Sequence, residues 1–291
     1  VVTVAECGNI TEAAKQLFVS QPTVTSAIHD LEKEMQIVIF VRTNKGVILS
    51  EDGERFLGHA RQVLEQVDLI EGIYKNDVVS KPHFAVSCQH YSFAVNAFVD
   101  VIRRFDAYQY DFTIREEQTH EIIEDVTNLK SELGVIYLSS KNTEVLSKML
   151  KRNELEFTEL FTATPHVFIC DSHPLAKKKS ITMENLQDYP YLTYEQGEYN
   201  SQYFSEEFVS TLDSRKNIRV RDRATLFNLI IGLNGYTVCS GVISAELNGR
   251  NIISKPLDVE EYMRIGIITR KGVVLSRYAR EYIEALKAHC M

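Results

Sequence analysis

No run in this 291-residue chain approaches the ~18 unbroken apolar residues of a membrane span, and no signal peptide is visible. A cytoplasmic location without membrane contact is therefore expected. The five cysteines (Cys7, Cys88, Cys170, Cys239 and Cys290) are odd in number, scattered, and form no CxxC. That argues against a disulfide scaffold or a zinc module and for a reducing compartment. Positive charge is also in short supply: 32 Lys and Arg face 40 Asp and Glu, a net of −8. There is no GxSxG, no GxxxxGK[ST], no HExxH and no paired-carboxylate constellation, so no enzyme class is indicated. What is present is apolar content, 44% of residues, without any low-complexity tract. Such a chain buries a large core and is expected to hold about two domains or more.

The chain opens mid-pattern with Val1-Val2-Thr3-Val4-Ala5, which predicts a helix begun upstream. Residues 9–50 then read as one winged helix-turn-helix. Asn9-Ile10-Thr11-Glu12-Ala13-Ala14-Lys15-Gln16-Leu17 predicts a first helix, with Asn9 as cap and Glu12 reaching back in a capping box. After Phe18-Val19, Ser20 caps a second helix through Glu32, and Pro22 in its first turn loses no intrahelical bond. Val24, Ala27, Ile28 and Leu31 share one face; Pro22, Ser26, His29 and Lys33 share the other, flanked by Thr23 and Thr25. A small, polar exposed edge suits close approach to the major groove. The runs 37–42 and 46–49 predict two strands around Thr43-Asn44-Lys45, a hairpin wing with Arg42 and Lys45 near its tip. Residues 1–58 carry five cations against eight anions, a net of −3, so either the few cations cluster on one face or several copies share the phosphate contacts, and the next segment favours the second.

From Glu51 to about Asn76 a long helix is predicted, capped by Ser50. Phe56, Ala60, Val63, Val67, Ile70 and Tyr74 form an a/d seam for dimerisation along a rod of about 39 Å. Past Val79-Ser80-Lys81-Pro82, strand-period and helix-period segments alternate, which predicts an α/β domain with parallel strands. A first set has strands at 84–87, 112–115 and 133–138, with helices through Phe105 and around Ile122, Val126 and Leu129. A second set starts near Phe161, with strands at 167–170, 191–194, 218–221 and 236–239 and helices near 199–211 and 223–233. The tail, a strand at 264–269 and a helix with Ala279, Ile283 and Leu286, returns to the first set. Two lobes joined by two crossings leave a cleft at the strand ends, where open α/β sheets bind ligands. The loop Ser87–Ser92 opens a helix there, and its backbone N–H groups suit an anion.

Asn9-Ile10-Thr11-x-Ala13-Ala14-x-x-Leu17, Ser20-Gln21-Pro22-Thr23-Val24-Thr25, Ile28, Leu31-Glu32, Phe40-x-Arg42 and Leu49-Ser50-x-x-Gly53 resemble the N-terminal signature of LysR-type transcriptional regulators. His173-Pro174-Leu175-Ala176 and Gly232-Leu233-Asn234-Gly235-Tyr236 fit that family's sensor domain. The resemblance implies a bacterial DNA-binding regulator, α/β overall. It would have a winged helix-turn-helix at 1–58 and a linker and dimerisation helix at 59–80. A two-lobed, periplasmic-binding-protein-like effector domain would fill 81–291, with lobe I at 81–160 and 258–291 and lobe II at 161–257. Expected partners are double-stranded promoter DNA, a small anionic effector, a second copy (with dimers pairing into a homotetramer) and RNA polymerase; no cofactor or metal is expected. DNA-facing residues would be Gln21, Thr23, Thr25, Ser26 and His29 for bases, and Thr11, Arg42 and Lys45 for phosphates. Effector contacts would come from Gln89, Tyr91, Ser92, Thr119, Tyr199 and Asn200, with Tyr194 lining the cleft. Gln36 departs from the family, which commonly has glycine there, and Ser26 stands where a basic residue is frequent.

Other readings compete. A thiol-based redox regulator would use Cys88 in the site loop, although no partner cysteine is evident. A solute-binding protein without a DNA role fits the back two-thirds but not residues 9–50. His83, His90 and His120 lack metal-ligand spacing and read as surface residues.

Overall fold

The computed structural model describes the chain except residues 45, 76–81, 106–108, 200, 202, 208–214, 244–248 and 291, and except the side chains of 65–66, 68–75 and 290. The chain divides into two compact units, Val1–Pro82 with Asn128–Lys130, and His83–Thr127 with Ser131–Met291.

In the first unit, α1 (Val2–Cys7) ends at Gly8 in the left-handed conformation, and α2 (Ile10–Gln16) starts at the extended cap Asn9. The Asn9 side chain accepts the Thr11 and Glu12 N–H groups at 2.8 and 3.3 Å. The reciprocal half of the expected capping box is not made, because the Glu12 carboxylate instead pairs with Lys15 at 3.2 Å. In α3 (Gln21–Met35) the Ser20 hydroxyl accepts the Thr23 N–H at 3.3 Å. Val24 and Ile28 pack with Val4, Ala13 and Ala14 into the core of this unit. Ala27, expected on the buried face, is exposed. It lies one helical step, about 100°, from Ile28, past the edge of a narrow apolar stripe.

Gln36 closes α3 at φ 56°, ψ 36°, the left-handed cap that explains a preference for glycine at this position. Glu32 then reaches forward, and its Oε1 accepts the Ile39 and Phe40 N–H groups at 2.7 and 3.1 Å. That carboxylate takes the Ile39 N–H in place of a strand partner, so the expected strand from Ile37 begins only at Phe40. The wing is β1 (Phe40–Thr43) against β2 (Gly46–Leu49), antiparallel with Arg42 opposite Val47. Gly46 is obligatory: at φ 138° a Cβ would sit 2.3 Å from the Gly8 carbonyl oxygen. The same carbonyl accepts the Val47 N–H at 2.9 Å, tying the wing to the end of α1. Ser50 Oγ accepts the Gly53 N–H at 2.9 Å and opens α4 (Glu51–Lys75), 25 residues and about 37 Å long.

The second unit carries two sheets' worth of strands on either side of a double crossing. β3 (His83–Cys88), β4 (Asp111–Glu116) and β5 (Leu133–Leu138) are parallel, but β12 (Met263–Arg270) and β6 (Leu155–Ala163) join antiparallel, giving the order β4-β3-β5-β12-β6. The sheet is therefore mixed rather than parallel throughout. Helices α5 (Ser92–Phe105), α6 (Thr119–Thr127) and α7 (Thr143–Arg152) follow their strands, and the last helix, α10 (Arg277–Cys290), packs on α5. Leu129, expected within a helix, lies beyond the end of α6 at φ 57°. β6 was not foreseen, and it extends the first lobe through Ala163, so the second lobe starts past Phe161 rather than at it.

The second lobe sets β7 (His166–Cys170) between β10 (Thr237–Cys239) and β11 (Ile252–Pro256), all antiparallel. β8 (Tyr191–Tyr194) and β9 (Asn217–Val220) run parallel, joined to β10 by the bridge Tyr191–Tyr236. The short α8 (Met183–Leu186) and α9 (Arg223–Leu233) complete it, and Leu226 and Ile230 of α9 pack on Phe168, Leu192 and Val220. The helix expected near 199–211 is absent from its described part. A 3-10 turn at Gly197–Tyr199 gives way to turns and bends, because the carbonyls of Phe204 and Ser205 bond to distant side chains instead of to the next helical turn.

Candidate functional site

Two surfaces concentrate the residues singled out in the sequence. On α3, Gln21, Thr23, Ser26 and His29 are exposed, as are Thr11 on α2 and Arg42 on the wing; Lys45 lies outside the described residues. Thr25 is half-buried and donates its hydroxyl to the Gln21 carbonyl at 3.0 Å. Ser26 stands 3.4 Å from Asp30, and His29 Nδ1 stands 3.9 Å from the same carboxylate. Along α4, Phe56 and Ala60 are half-buried, whereas Val63 and Val67 are 63% and 42% exposed. The side chains of Ile70 and Tyr74 lie outside the described residues.

The second surface is the cleft of the α/β unit. β3 delivers the loop Gln89-His90-Tyr91 to its centre. Gln89 is buried and fully engaged within its own lobe: its Nε2 donates to Thr119 Oγ1 at 2.7 Å. Its Oε1 accepts the Tyr137 N–H and the Tyr91 hydroxyl, both at 3.1 Å. Thr119 is buried and looks across to the other lobe. Its N–H donates to Gln196 Oε1 at 3.1 Å and its hydroxyl to the Phe204 carbonyl at 2.7 Å. His90 bridges too. Its ring stacks on Tyr194 at 3.8 Å between centroids, Nε2 faces the Arg221 carbonyl at 3.1 Å, and Nδ1 lies 2.8 Å from Glu206. Glu116 meets Arg223 at 3.1 Å.

Tyr91, Ser92 and Tyr194 line a cavity of about 40 Å³ together with Glu206, Glu207 and Arg223. Tyr199 stands apart, half exposed, against His120 at 4.3 Å, on a wider hollow of about 450 Å³. Glu116, Glu117, Glu121, Glu195 and Glu198 ring that hollow, with His90, His120 and the single cation Arg221, so the carboxylates outnumber the positive charge and disfavour an anion. Asn200 is outside the described residues. His83 is exposed on β3, and no group of His, Cys, Asp or Glu among the described residues is arranged to hold a metal ion.

Burial shapes the charges. Burial pushes the Glu207 carboxyl up to about 8, reinforced by the neighbouring charge of Glu206. Burial alone would lower the pKa of His90, but Glu206 outweighs it and lifts the imidazole above its ordinary value. Burial, with help from Glu116, drives the Cys88 thiol well up, away from the reactive thiolate.

Residues 1–54 match the family model for the bacterial regulatory helix-turn-helix protein of the lysR family, and residues 87–291 match the LysR substrate binding domain. The chain belongs to the LysR family of transcriptional regulators. Like it is YbhD of Escherichia coli, an uncharacterized HTH-type transcriptional regulator, 27% identical over 98% of this chain and 88% of that one. The RuBisCO operon transcriptional regulator of Allochromatium vinosum is also 27% identical, over 99% of this chain and 95% of its own. In fold, full-length OxyR of Pseudomonas aeruginosa superposes with a TM-score of 0.63 at 20% identity, covering 98% of this chain and 92% of that one.

Within this LysR-family regulator, His90 lies in the cleft and not on the surface as its sequence pattern suggests, and Gln196, Glu206, Glu207 and Arg223 join it there without a sequence expectation. His90 had a usable signal, its place in the loop that opens α5. Glu206 and Glu207 had none, since two adjacent glutamates in a polar stretch read as solvated surface. Only the fold carries them into the cleft, where they are 5% and 2% exposed.

Proposed function

We propose that this LysR-family regulator reads duplex DNA through α3 and the wing and is controlled by a small molecule between its lobes. In this reading residues 1–58 form the DNA-binding head, 59–80 the linker, and the remainder the effector domain. Gln21, Thr23, Ser26 and His29 face base edges, while Thr11, Arg42 and Lys45 meet phosphates. Thr25, its hydroxyl turned to its own helix, offers mainly its methyl group. The observation that carries the proposal is the exposed polar edge of α3, beside an Arg-bearing wing, within the matched helix-turn-helix. The seam from Phe56 to Tyr74 pairs two chains, supported by Val63 and Val67 standing in solvent, and doubles the cationic contacts that one head lacks. Dimers then pair into tetramers, and RNA polymerase meets the assembly at the promoter.

Tyr91, Ser92 and Tyr194 line the effector position; Gln89 and Thr119 hold the loop in shape behind it, Tyr199 lies at the rim, and Asn200, next to it in sequence, is a further candidate contact. No helix among the described residues is long and apolar enough to cross a membrane, which fits a cytoplasmic regulator. No reaction is assigned to the cleft. A footprint on the DNA upstream of its own gene tests the reading. Two protected half-sites are expected, with Arg42→Ala reducing the salt dependence of binding by about one ion and His29→Ala or Ser26→Ala relaxing base preference. Absence of any protected site would reject it.

A further inference from the structure

Three donors at the centre of the cleft converge on one side chain of the chain itself. Glu206 Oε2 accepts the His90 backbone N–H at 2.9 Å and lies 2.8 Å from His90 Nδ1, while its Oε1 accepts the Gln196 amide at 3.1 Å. His90 belongs to the first lobe and Gln196 to the second, so one carboxylate links them. The adjoining backbone is held as well. The hydroxyls of Thr119 and Tyr137 donate to the Phe204 and Ser205 carbonyls at 2.7 and 3.0 Å. Glu207 accepts the Tyr194 N–H at 2.7 Å and the Ser205 hydroxyl at 2.9 Å. With this strap in place the adjoining cavity is about 40 Å³, room for a few water molecules.

We infer that Glu206 is an internal ligand of the effector cleft, and that an effector enters by exchanging its own carboxylate for that of Glu206. The inference rests on the cleft being the effector site, and it adds the ligand's class and the means of control. Moving the strap out leaves the His90 N–H, His90 Nδ1 and the Gln196 amide without their acceptor in a largely buried site, so the incoming group must bring acceptor oxygens. It must also bring negative charge. Both ring nitrogens of His90 face acceptors, Glu206 on one side and the Arg221 carbonyl on the other, an arrangement satisfied by the doubly protonated ring.

The other charged groups around His90 are mostly committed. Arg223 pairs through Nη2 with Glu116 but keeps Nη1 buried without a hydrogen-bond partner, Arg221 pairs with Glu195, and Asp222 with the start of α9 through Thr225. Glu207 is held by Tyr194 and Ser205. A monocarboxylate replacing Glu206 therefore conserves both hydrogen bonds and charge, and the lobes are held by the effector instead of by the strap. Strap release is then the conformational signal, a shift between two closed or half-open arrangements rather than the filling of an empty hole.

Chemical rescue in the full-length protein tests this. Glu206→Ala removes what acetate replaces. Without additive, the variant is expected to lose hydrogen-exchange protection at the His90 amide and to melt at a lower temperature than the wild type. Acetate, against chloride at equal ionic strength, should restore both. Its midpoint should be roughly tenfold below any acetate effect on the wild type, whose position is filled. Glu206→Gln, which keeps the bulk without the charge, should lose protection and resist rescue. Unchanged protection at His90 in both variants, no rescue of Glu206→Ala, or equal acetate response in variant and wild type would overturn the inference. If Glu206→Ala does not fold, unaltered His90 protection in Glu206→Gln overturns it alone. Gel shifts on the same samples keep the two readings apart. DNA retention with failed rescue sinks only the internal ligand, and rescue without any DNA binding sinks only the DNA reading.

Discussion

The DNA-binding head and the effector cleft satisfy their polar groups in opposite ways. In the head the partners are neighbours in sequence: Asn9 with Thr11, Ser20 with Thr23, Glu32 with Ile39 and Phe40. In the cleft they are far apart: Gln196 with Thr119, Phe204 with Thr119, Glu206 with His90. Short-range caps and carboxylate clamps form with the helices they serve and have one arrangement. Bonds between distant segments from two lobes can be made with one partner or another. The head is thus built to hold a shape, and the cleft to choose between shapes.

The largest expected effect tests the head's rigidity. Glu32→Ala leaves the Ile39 amide buried without its charged acceptor and frees the start of the wing. We expect a loss of about 2–3 kcal/mol by denaturant unfolding of the head and weakened binding at the operator. A loss below measurement would mean the wing is positioned by the Gly8–Val47 contact alone. Smaller is Tyr137→Phe, which removes one donor to the strap. It should cost about 1 kcal/mol and speed amide exchange in residues 204–207, while the footprint of the apo protein stays unchanged. An altered footprint would show that strap and head are coupled without any effector.

A weaker handle is pH. His90 and Glu207 both have pKa values raised by folding, His90 by Glu206 against burial, Glu207 by burial to about 8. A raised group contributes stability that is complete below its unfolded value and is lost as pH rises through the folded one. The closed cleft should therefore loosen as pH rises from about 4.5, where unfolded Glu207 ionises, to about 8, with His90 adding its share above about 6.5, read as falling protection of the His90 amide. Tightening over that range would contradict the charge assignment. No effect at all is expected from peroxide on DNA affinity, since the Cys88 thiol is buried with its pKa driven up by burial and Glu116. A shift on oxidation would bring back the redox reading.

The same contrast explains what could be read in the chain beforehand. Asn9, Ser20 and Ser50 announce helix starts because a cap is decided within three or four residues. Strands β3 to β5 and β7 to β10 were legible as apolar runs between turn residues. β6 was not, because Leu155–Ala163 alternates with Glu156, Glu159 and threonines and lies largely at the sheet's edge. The supposed helix after Tyr199 failed for the same cause as the missed glutamates. Residues 204–207 take their form from Thr119, Tyr137 and His90, between 68 and 116 positions away. Local pattern has no access to such partners. Gln89 and Thr119, by contrast, stand out in the sequence; in the structure Gln89 bonds within its own lobe and Thr119 bonds both Gln89 and the second lobe.

One consequence reaches into genetics. Any missense change in the codon for Gly46 adds at least a methyl group where the Gly8 carbonyl leaves no room, whichever of its first two bases is altered. A selection for strains that have lost regulation should recover every missense allele at this position, with all of them recessive or dominant together according to how the heads share an operator.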